Sequence, residues 1–356
     1  MEVLKYLAFD LHIATITFVM MNSAGRVLQQ GLIPTSAAGI RRIIKGFRGR
    51  LIVTFEEGTL SQWAYEIVQP LVDQVVVCNP RRNKLLEEGS KADKIDCRKL
   101  ADLLRTGMIK SVYHGANKNR LLKELTGFYI GIVSDTTRAM TRLKAVFRSR
   151  GIPAAGRSIY YPKNRQLWLS RLDRREKRER AEMIYRQLDF LRDLRREAKK
   201  KMLAAARAEK EIYKVLISIP GLGPIRTAIL MAIVVTPFRF RTKRQFWTYC
   251  GLSVVTRTSS DYEFLPGGRV RRIRRQTDTR GLTRDFNHLL KYVLKGAASD
   301  AIRREPFKSF YKLRVENGTA PELARLTVAR KIGAIVLTLW KKGVSFNEEV
   351  MLKLTA

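Results

Sequence analysis

The sequence contains few cysteines and few histidines. Three cysteines and three histidines are found in 356 residues. They are Cys78, Cys97, Cys250, His12, His114 and His288. No CxxC pair is present and the histidines are scattered, so neither set predicts a zinc site. An odd number of widely spaced cysteines predicts small buried side chains in a reducing compartment.

Long apolar runs are also missing. Runs such as AILMAIVV and IGAIVLTLW fall far below the ~20 residues that span a bilayer. The opening MEVLKYLAFDLH lacks the basic head and apolar stretch of a signal peptide. We therefore expect a cytoplasmic protein with no membrane partner.

Acidic residues are scarce relative to basic ones. The chain has 69 Lys plus Arg against 32 Asp plus Glu, a formal net charge of +37. Such a surplus repels itself unless a polyanion neutralises it. Nucleic acid is the expected partner, and an anionic membrane surface is the alternative. Because 45% of the residues are hydrophobic, the chain is expected to be globular.

Hydrophobic patterning predicts an α/β domain over residues 1–125. Strands are expected over 4–9, 14–21, 25–34, 50–57 and 74–80, and helices over 36–47, 60–70 and 93–105. The first three strands would form a meander, and strands and helices then alternate. This order is typical of an α/β fold, here with acidic residues at the strand ends.

Residues 126–215 are predicted to form a helical, coiled-coil-like segment. Apolar residues recur every three or four positions, with Arg195 intruding at one of them. The stripe consists of Ala181, Ile184, Leu188, Leu191, Ala198, Met202, Ala205 and Ile212. It predicts self-association, and Leu188→Asp with Leu191→Asp would then give a folded monomer. The alternative is a helix packed against its own domain.

Residues 216–356 are predicted to be mainly α-helical. The stretch ISIPGLGPIRTAILMAI resembles a helix–hairpin–helix, whose turn can present backbone N–H groups to a phosphate. Further on, PGGRVRRIRRQ places five arginines within seven positions and includes no acid. The arginines expected to bind nucleic acid are Arg269, Arg271, Arg272, Arg274 and Arg275, together with Arg81 and Arg82 after the fifth predicted strand.

Four carboxylates form a candidate metal site. Asp93 and Asp96 are three residues apart, and so share one face of a helix. Asp10 and Glu56 end two predicted strands. Such an oxygen-rich set suits Mg²⁺ or Mn²⁺. The alternative is that these acids pair at the surface with neighbouring lysines and arginines.

The chain resembles a known family along nearly its whole length. The blocks AFDLHIATI, FEEGTLSQWAYEIVQPL, VVVCNPRRNK and KADKIDCRKLADLL resemble, in order, the DEDD, RuvC-like domain of transposases from bacterial insertion sequences. The blocks IPGLGPIRTAILMAIV, RTSSDYE and PELARLTVARKIGAIV resemble the second half of these proteins. They are serine-containing recombinases related to Piv-type DNA invertases, and they are guided by a bridge RNA.

The resemblance implies an RNase H-like (RuvC-like) N-terminal domain and a helical C-terminal transposase domain over 216–356. It implies that Asp10, Glu56, Asp93 and Asp96 hold the metal. Ser259 would attack a DNA phosphodiester and form a phosphoserine link. Donor and target duplex DNA, a structured guide RNA and a homo-oligomer, dimer or tetramer, are the implied partners.

The chain departs from the family pattern at four places, one of which is RQTDTRGLTRDF, where the family has a KRGN block. The first acid is usually followed by x-Ser-Lys, whereas Leu11-His12-Ile13 follows here. Glu57 follows Glu56, so it is an alternative metal ligand. Ser260 follows Ser259, so it is an alternative nucleophile. The alternative function is a metal-dependent junction nuclease that uses the acids alone and forms no covalent intermediate.

Overall fold

The chain forms two compact units. The structure is a computed structural model that describes residues 4–83, 93–114, 120–257, 262–266, 268–272 and 278–348. The first unit is Met1–Lys118 and the second is Asn119–Ala356. The domain boundaries near residues 125 and 215 stay predictions.

In its described residues, the first unit is a five-stranded mixed sheet with three α-helices. Its elements are β1 (Lys5–Leu11), β2 (Thr15–Asn22), β3 (Val27–Pro34), α1 (Ala37–Lys45), β4 (Leu51–Glu56), α2 (Ser61–Val68), β5 (Gln74–Cys78) and α3 (Asp93–Arg105). The strand order is β3-β2-β1-β4-β5. The first three strands are antiparallel, and β1, β4 and β5 run parallel. The predicted α/β domain is confirmed.

Successive side chains of β1 belong alternately to two apolar clusters, one on each face of the sheet. Leu7 and Phe9 belong to the apolar cluster that also includes Ile40 of α1 and Ala64 of α2. Ala8, between them, belongs instead to a cluster that includes buried residues of α3. Since side chains two residues apart share a face, β1 is buried on both sides. The sheet is therefore covered by α1 and α2 on one face and by α3 on the other.

The second unit is mainly helical, as predicted. Its helices are α4 (Arg120–Arg148), α5 (Arg165–Leu169), α6 (Arg175–Ala208), α7 (Lys210–Ile217), α8 (Pro224–Val234), α9 (Lys243–Tyr249), α10 (His288–Ala301), α11 (Phe307–Glu316) and α12 (Pro321–Lys342). In the part of this unit that the structure describes, four short strands interrupt them: β6 (Val254–Arg257), β7 (Tyr262–Leu265), β8 (Arg269–Arg272) and β9 (Asp278–Leu282). They pair as β6 with β9 and β7 with β8.

The apolar stripe of α6 lies inside the second unit. Leu188 and Leu191 are buried in the same apolar cluster as Leu143 of α4. Leu194 packs against this cluster, while Arg195 is exposed. The expected self-association surface at Leu188 and Leu191 is therefore already covered within one chain, and the alternative of a helix packed on its own domain is favoured. The coiled coil between chains stays a prediction.

The glycine-containing turn joins α7 to α8. Gly221 and Leu222 in this turn are buried. Gly221 has a φ of +86°, and a Cβ there would lie 2.2 Å from the carbonyl oxygen of Ala297 in α10. The turn thus needs glycine both for its left-handed backbone and for the close approach of α10. Its role in binding phosphate stays a prediction.

The cysteines are buried and unpaired, as predicted for all three. Burial raises the pKa of the Cys97 thiol to about 12, so it stays protonated and unreactive at neutral pH. Among the described helices, none combines the length and apolarity needed to cross a membrane.

Candidate active site

Asp10 and Glu56 lie at the same edge of the sheet. Phe9 of β1 is the register partner of Phe55 of β4, and these strands are parallel. Asp10 and Glu56 are the next residues on their strands, so they follow the paired positions at the carboxyl ends. Asp10 comes two residues after Ala8, and Glu56 comes two residues after Thr54. Since side chains two residues apart share a face of the sheet, both carboxylates lie on the face covered by α3. The topology therefore brings two distant carboxylates together.

The first turn of α3 brings two more carboxylates to this edge. Asp93 and Asp96 lie in that turn, where the positive end of the helix dipole stabilises negative charge. Cys97 fixes the helix on the sheet, because its thiol donates to the carbonyl oxygens of Ala8 at 3.3 Å and Thr17 at 3.5 Å. Ala8 is two residues before Asp10, so this contact holds the start of α3 beside the end of β1.

His12 is a member of this site that the sequence reasoning missed. Its Nε2 lies 3.1 Å from Oδ2 of Asp10 and 3.6 Å from Oδ2 of Asp93. The ligand atoms of the three residues all lie within 4.8 Å of one another. The backbone of His12 is anchored, since the hydroxyl of Thr35 donates to its carbonyl oxygen at 2.7 Å. The available signal was the Asp-x-His spacing at the end of a strand.

The electrostatics of the site reflect how close the acids are to one another. Burial raises the pKa of Asp10 above its ordinary value, and the charges of Asp93 and Asp96 raise it further. The nearby imidazole of His12 acts in the opposite direction and lowers the pKa. Burial also raises the pKa of Glu56, and the charges of Asp10 and Asp96 add to that shift. Without a cation, ionising all of these carboxylates at once is costly.

The donor set fits a divalent metal ion. Oδ1 of Asp96 is buried and accepts no hydrogen bond from a described residue, although Nζ of Lys99 lies 3.6 Å away. A buried carboxylate oxygen without a hydrogen bond is costly, and a metal ligand bond would satisfy it. The oxygens of Asp10, Glu56, Asp93 and Asp96 match the preference of Mg²⁺ and Mn²⁺, while the His12 imidazole adds one softer donor.

Glu57 faces a different neighbour from Glu56. Oε1 of Glu57 lies 3.9 Å from Nε2 of His114, and its backbone N–H donates to the carbonyl oxygen of Cys78. Glu57 is exposed, whereas Glu56 is partly buried beside Asp10 and Asp96. Glu56 is therefore the better candidate of the two.

A basic cleft lies beside α3. Its volume is about 620 Å³, and its walls come from α3 and from the β2–β3 hairpin. The charged residues that line it are Lys94, Arg98, Lys99, Asp102 and Arg105. The guanidinium of Arg105 pairs with Asp102 at 2.6 Å. Because α3 also carries Asp93 and Asp96, the cleft and the carboxylates share one helix.

The remaining candidate residues are only partly described. Arg82 is exposed in the short helical turn Pro80–Arg82, which also contains Arg81. Arg269 and Arg271 are exposed on β8, which ends at Arg272. Ser259, Ser260, Arg274 and Arg275 lie outside the described residues.

Two family models match the chain. A DEDD-type model for IS110 elements, described as transposase, matches residues 7–150. A model described as transposase of the IS116/IS110/IS902 family matches residues 213–312. No curated protein matches the sequence. The chain therefore carries the two domains of IS110-family transposases, and it is an enzyme that acts on DNA by strand cleavage and transfer.

Proposed function

We propose that this transposase is a site-specific DNA recombinase that uses a divalent metal, Mg²⁺ or Mn²⁺, and forms a covalent phosphoserine–DNA intermediate. The observation that carries the metal-assisted part is the convergence of Asp10, Glu56 and Asp96 with His12 and Asp93 at one edge of the sheet. The covalent part rests on the family resemblance around Ser259.

The chain's own residues would hold the metal and place the DNA strand beside it. Asp10, Glu56, Asp93 and Asp96 supply the oxygen ligands, and the α3–sheet contact fixes their spacing. A bound divalent ion would stabilise the charge that develops on the attacking and leaving oxygens of a phosphoryl transfer. Lys94 and Arg98 line the cleft beside α3, where they would attract the phosphate backbone.

The covalent step conserves a phosphodiester-type bond. The Oγ of Ser259 would form a bond to phosphorus as the bond from phosphorus to a deoxyribose oxygen breaks, and that oxygen would leave with a proton as a free hydroxyl. A serine hydroxyl needs a base or a metal to lose its proton at neutral pH. Attack by another strand's hydroxyl would reverse the step, so strand exchange would need no ATP. The exposed Arg269 and Arg271 of β8 follow Ser259 in the chain and would neutralise phosphates nearby.

The proposed partners are donor and target duplex DNA, a structured guide RNA and further copies of this chain. The net charge of +37 accommodates two polyanions as readily as one. The guide RNA rests on the family resemblance. Oligomerisation rests on the need for at least two strand breaks to be brought together, and α6 does not expose the stripe first expected to mediate it.

A trapping experiment tests the covalent step. The full chain is reacted with a nicked DNA substrate in Mg²⁺ and digested, and the peptides are searched for a nucleotide adduct by mass spectrometry. We expect an adduct on Ser259 that is lost in Ser259→Ala. Asp10→Asn, with its metal site impaired, should also lose the adduct while still binding DNA. An adduct on Ser260 would move the nucleophile by one residue and keep the mechanism.

The alternative is a metal-dependent nuclease without a covalent intermediate. One observation favours it: the four carboxylates of the candidate site and His12 all belong to the first unit, so this unit alone supplies the metal ligands. Cleavage that persists in both Ser259→Ala and Ser260→Ala, with no protein–DNA link, would establish this alternative. Cleavage that also persists in Asp10→Asn and in EDTA would overturn the metal site.

A further inference from the structure

Lys331 of α12 is an unusual lysine. Only 8% of its surface is exposed, and its Nζ forms no hydrogen bond with any described residue. Lysine is almost never buried to this degree without a partner. A buried ammonium without a compensating group costs free energy, so this position reduces the stability of the second unit.

Two further cations approach Lys331 from neighbouring helices. Nζ of Lys331 lies 6.0 Å from the ring centroid of Phe310 in α11, and the guanidinium carbon of Arg314 lies 5.4 Å from the same centroid. Lys243 comes from α9, and its Nζ lies 5.9 Å from the ring centroid of Trp247. The indole of Trp247 donates a 2.8 Å hydrogen bond to the carbonyl oxygen of Arg330, the residue before Lys331.

The charge around Lys331 is positive and uncompensated. Burial, together with the charges of Lys243 and Arg314, lowers the pKa of Lys331 to about 8. Among the described residues, no carboxylate forms an ion pair with Lys243, Arg314 or Lys331. The contact with Phe310 compensates only in part, since a cation over a ring is worth about 0.5–2 kcal/mol.

We propose that Lys331, Arg314 and Lys243 form a phosphate-binding site for the backbone of a nucleic acid held by the second unit. Lys243 and Arg314 are exposed, so a phosphate reaches them from solvent and brings acceptor oxygens toward Lys331. Charge-assisted hydrogen bonds to phosphate are among the stronger ones in proteins. An arrangement that is unfavourable in the free protein becomes favourable once the anion is bound, as is common at functional sites.

Lys331→Met in the full-length chain tests the site. Methionine keeps the length of the side chain and removes the charge. We expect the free variant to unfold at a higher temperature than the wild type, because the buried charge is gone. Its affinity for duplex DNA should fall, and the slope of log affinity against log salt should decrease by at most about 0.9, the value for one fully lost phosphate contact, because Nζ of Lys331 is itself buried.

Lys342→Met is the matched control, because Lys342 is exposed at the end of the same helix and the change in net charge is equal. It should leave the thermal midpoint and the salt slope near the wild-type values. Arg314→Gln alters an exposed residue of the site, and it should reproduce the loss of slope even if Lys331→Met fails to fold.

Parallel titrations with duplex DNA and with an RNA hairpin identify the source of the phosphate. A reduced slope with DNA, with RNA or with both supports the site and names its ligand. Unchanged slopes with both nucleic acids in Lys331→Met and Arg314→Gln would overturn it, even if inorganic phosphate still shifted the wild-type thermal midpoint. A less stable free Lys331→Met would assign the lysine a structural role instead.

Discussion

Nε2 of His12 and Oδ2 of Asp10 lie 3.1 Å apart, which places an imidazole within the proposed metal site. Imidazole is a poor ligand for Mg²⁺ and a better one for softer ions. We therefore expect the wild type to bind Mn²⁺ more tightly than Mg²⁺. His12→Asn should reduce Mn²⁺ affinity by about tenfold or more, within the range seen when a metal site loses a supporting group.

Calorimetric titration measures both affinities, and pulsed electron paramagnetic resonance of bound Mn²⁺ detects coupling to a ligand nitrogen. That coupling should be present in the wild type and absent in His12→Asn. His288→Asn, at an exposed histidine of the second unit, is the control and should retain it. A wild-type spectrum without nitrogen coupling would exclude His12 as a ligand.

Neutralising Glu56 should stabilise the metal-free protein. Burial and neighbouring carboxylates raise the pKa of Glu56 above its ordinary value of 4.5, so the folded state binds the proton more tightly than the unfolded state. Stability is therefore lost as the pH rises from about 4.5 through the raised pKa. In EDTA, Glu56→Gln should have a higher thermal midpoint than the wild type at pH 7, with a smaller difference at pH 4.

Added Mn²⁺ should reverse the order of the two midpoints at pH 7, since only the wild type keeps the full ligand set. Glu57→Gln is the control. Its carboxylate is exposed, and its substitution should change neither comparison. A wild type that is more stable than Glu56→Gln at pH 7 in EDTA would contradict the assigned electrostatic strain.

The sequence predicted that the carboxylates would lie together, but it did not predict their neighbour His12. Asp10 and Glu56 end apolar strands, and a parallel pair of strands brings such ends together, so patterning was sufficient for them. His12 follows in a loop, where no periodicity applies, and its position depends on backbone contacts to Thr15 and Thr35. Tertiary contacts of this kind cannot be deduced from spacing.

The second unit shows the same limit. The helices were predictable because their apolar periodicity is strong. Strands β6 to β9 are short and rich in polar residues, and β8 is mostly arginine, so the hydrophobic pattern predicted no strands there. The sequence correctly predicted an apolar stripe on α6. Periodicity, however, does not reveal whether that stripe packs against α4 of its own chain or against another copy.

Leu188 should be essential for folding rather than for association. It is fully buried, while Phe190 on the same helix is 65% exposed. Leu188→Ala should lower the unfolding free energy by about 2–5 kcal/mol, and Phe190→Ala should change it by no more than about 0.5 kcal/mol. Denaturant unfolding followed by circular dichroism measures both. A fully stable, monomeric Leu188→Ala would restore the original prediction that this stripe mediates self-association.

Lys94 and Arg98 should bind phosphates beside the carboxylates. Replacing both with alanine should lower the log–log salt slope of DNA binding by about 1.8, or about 0.9 for each contact. The control replaces Arg41 and Arg42, two exposed residues of α1, which covers the opposite face of the sheet. It removes the same charge. Equal losses of slope in the two double variants would mean that net charge, and not the cleft, determines binding.

A methyl group should destabilise the protein at one glycine of the α7–α8 turn and have little effect at the other. Gly221 has a φ of +86°, and its added Cβ would lie 2.2 Å from the carbonyl oxygen of Ala297. Gly221→Ala should therefore cost about 1–2 kcal/mol for the left-handed backbone, and a further ~1–3 kcal/mol for overpacking. Gly223 has a φ of −71°, and among the described residues no atom beyond its own chain neighbours lies within 4 Å of the position that a methyl group would take there.

Gly223→Ala should consequently stay within about 0.5 kcal/mol of the wild type, because the entropy lost by the unfolded chain offsets a weaker helix N-cap. Tryptophan fluorescence during denaturation reports mainly on the second unit, which contains Trp168, Trp247 and Trp340, whereas the first unit contains Trp63. If the turn has only a structural role, the Gly223→Ala variant should also bind DNA with the wild-type affinity. Normal stability with weakened DNA binding in this variant would instead identify the turn at Gly223 as a phosphate contact.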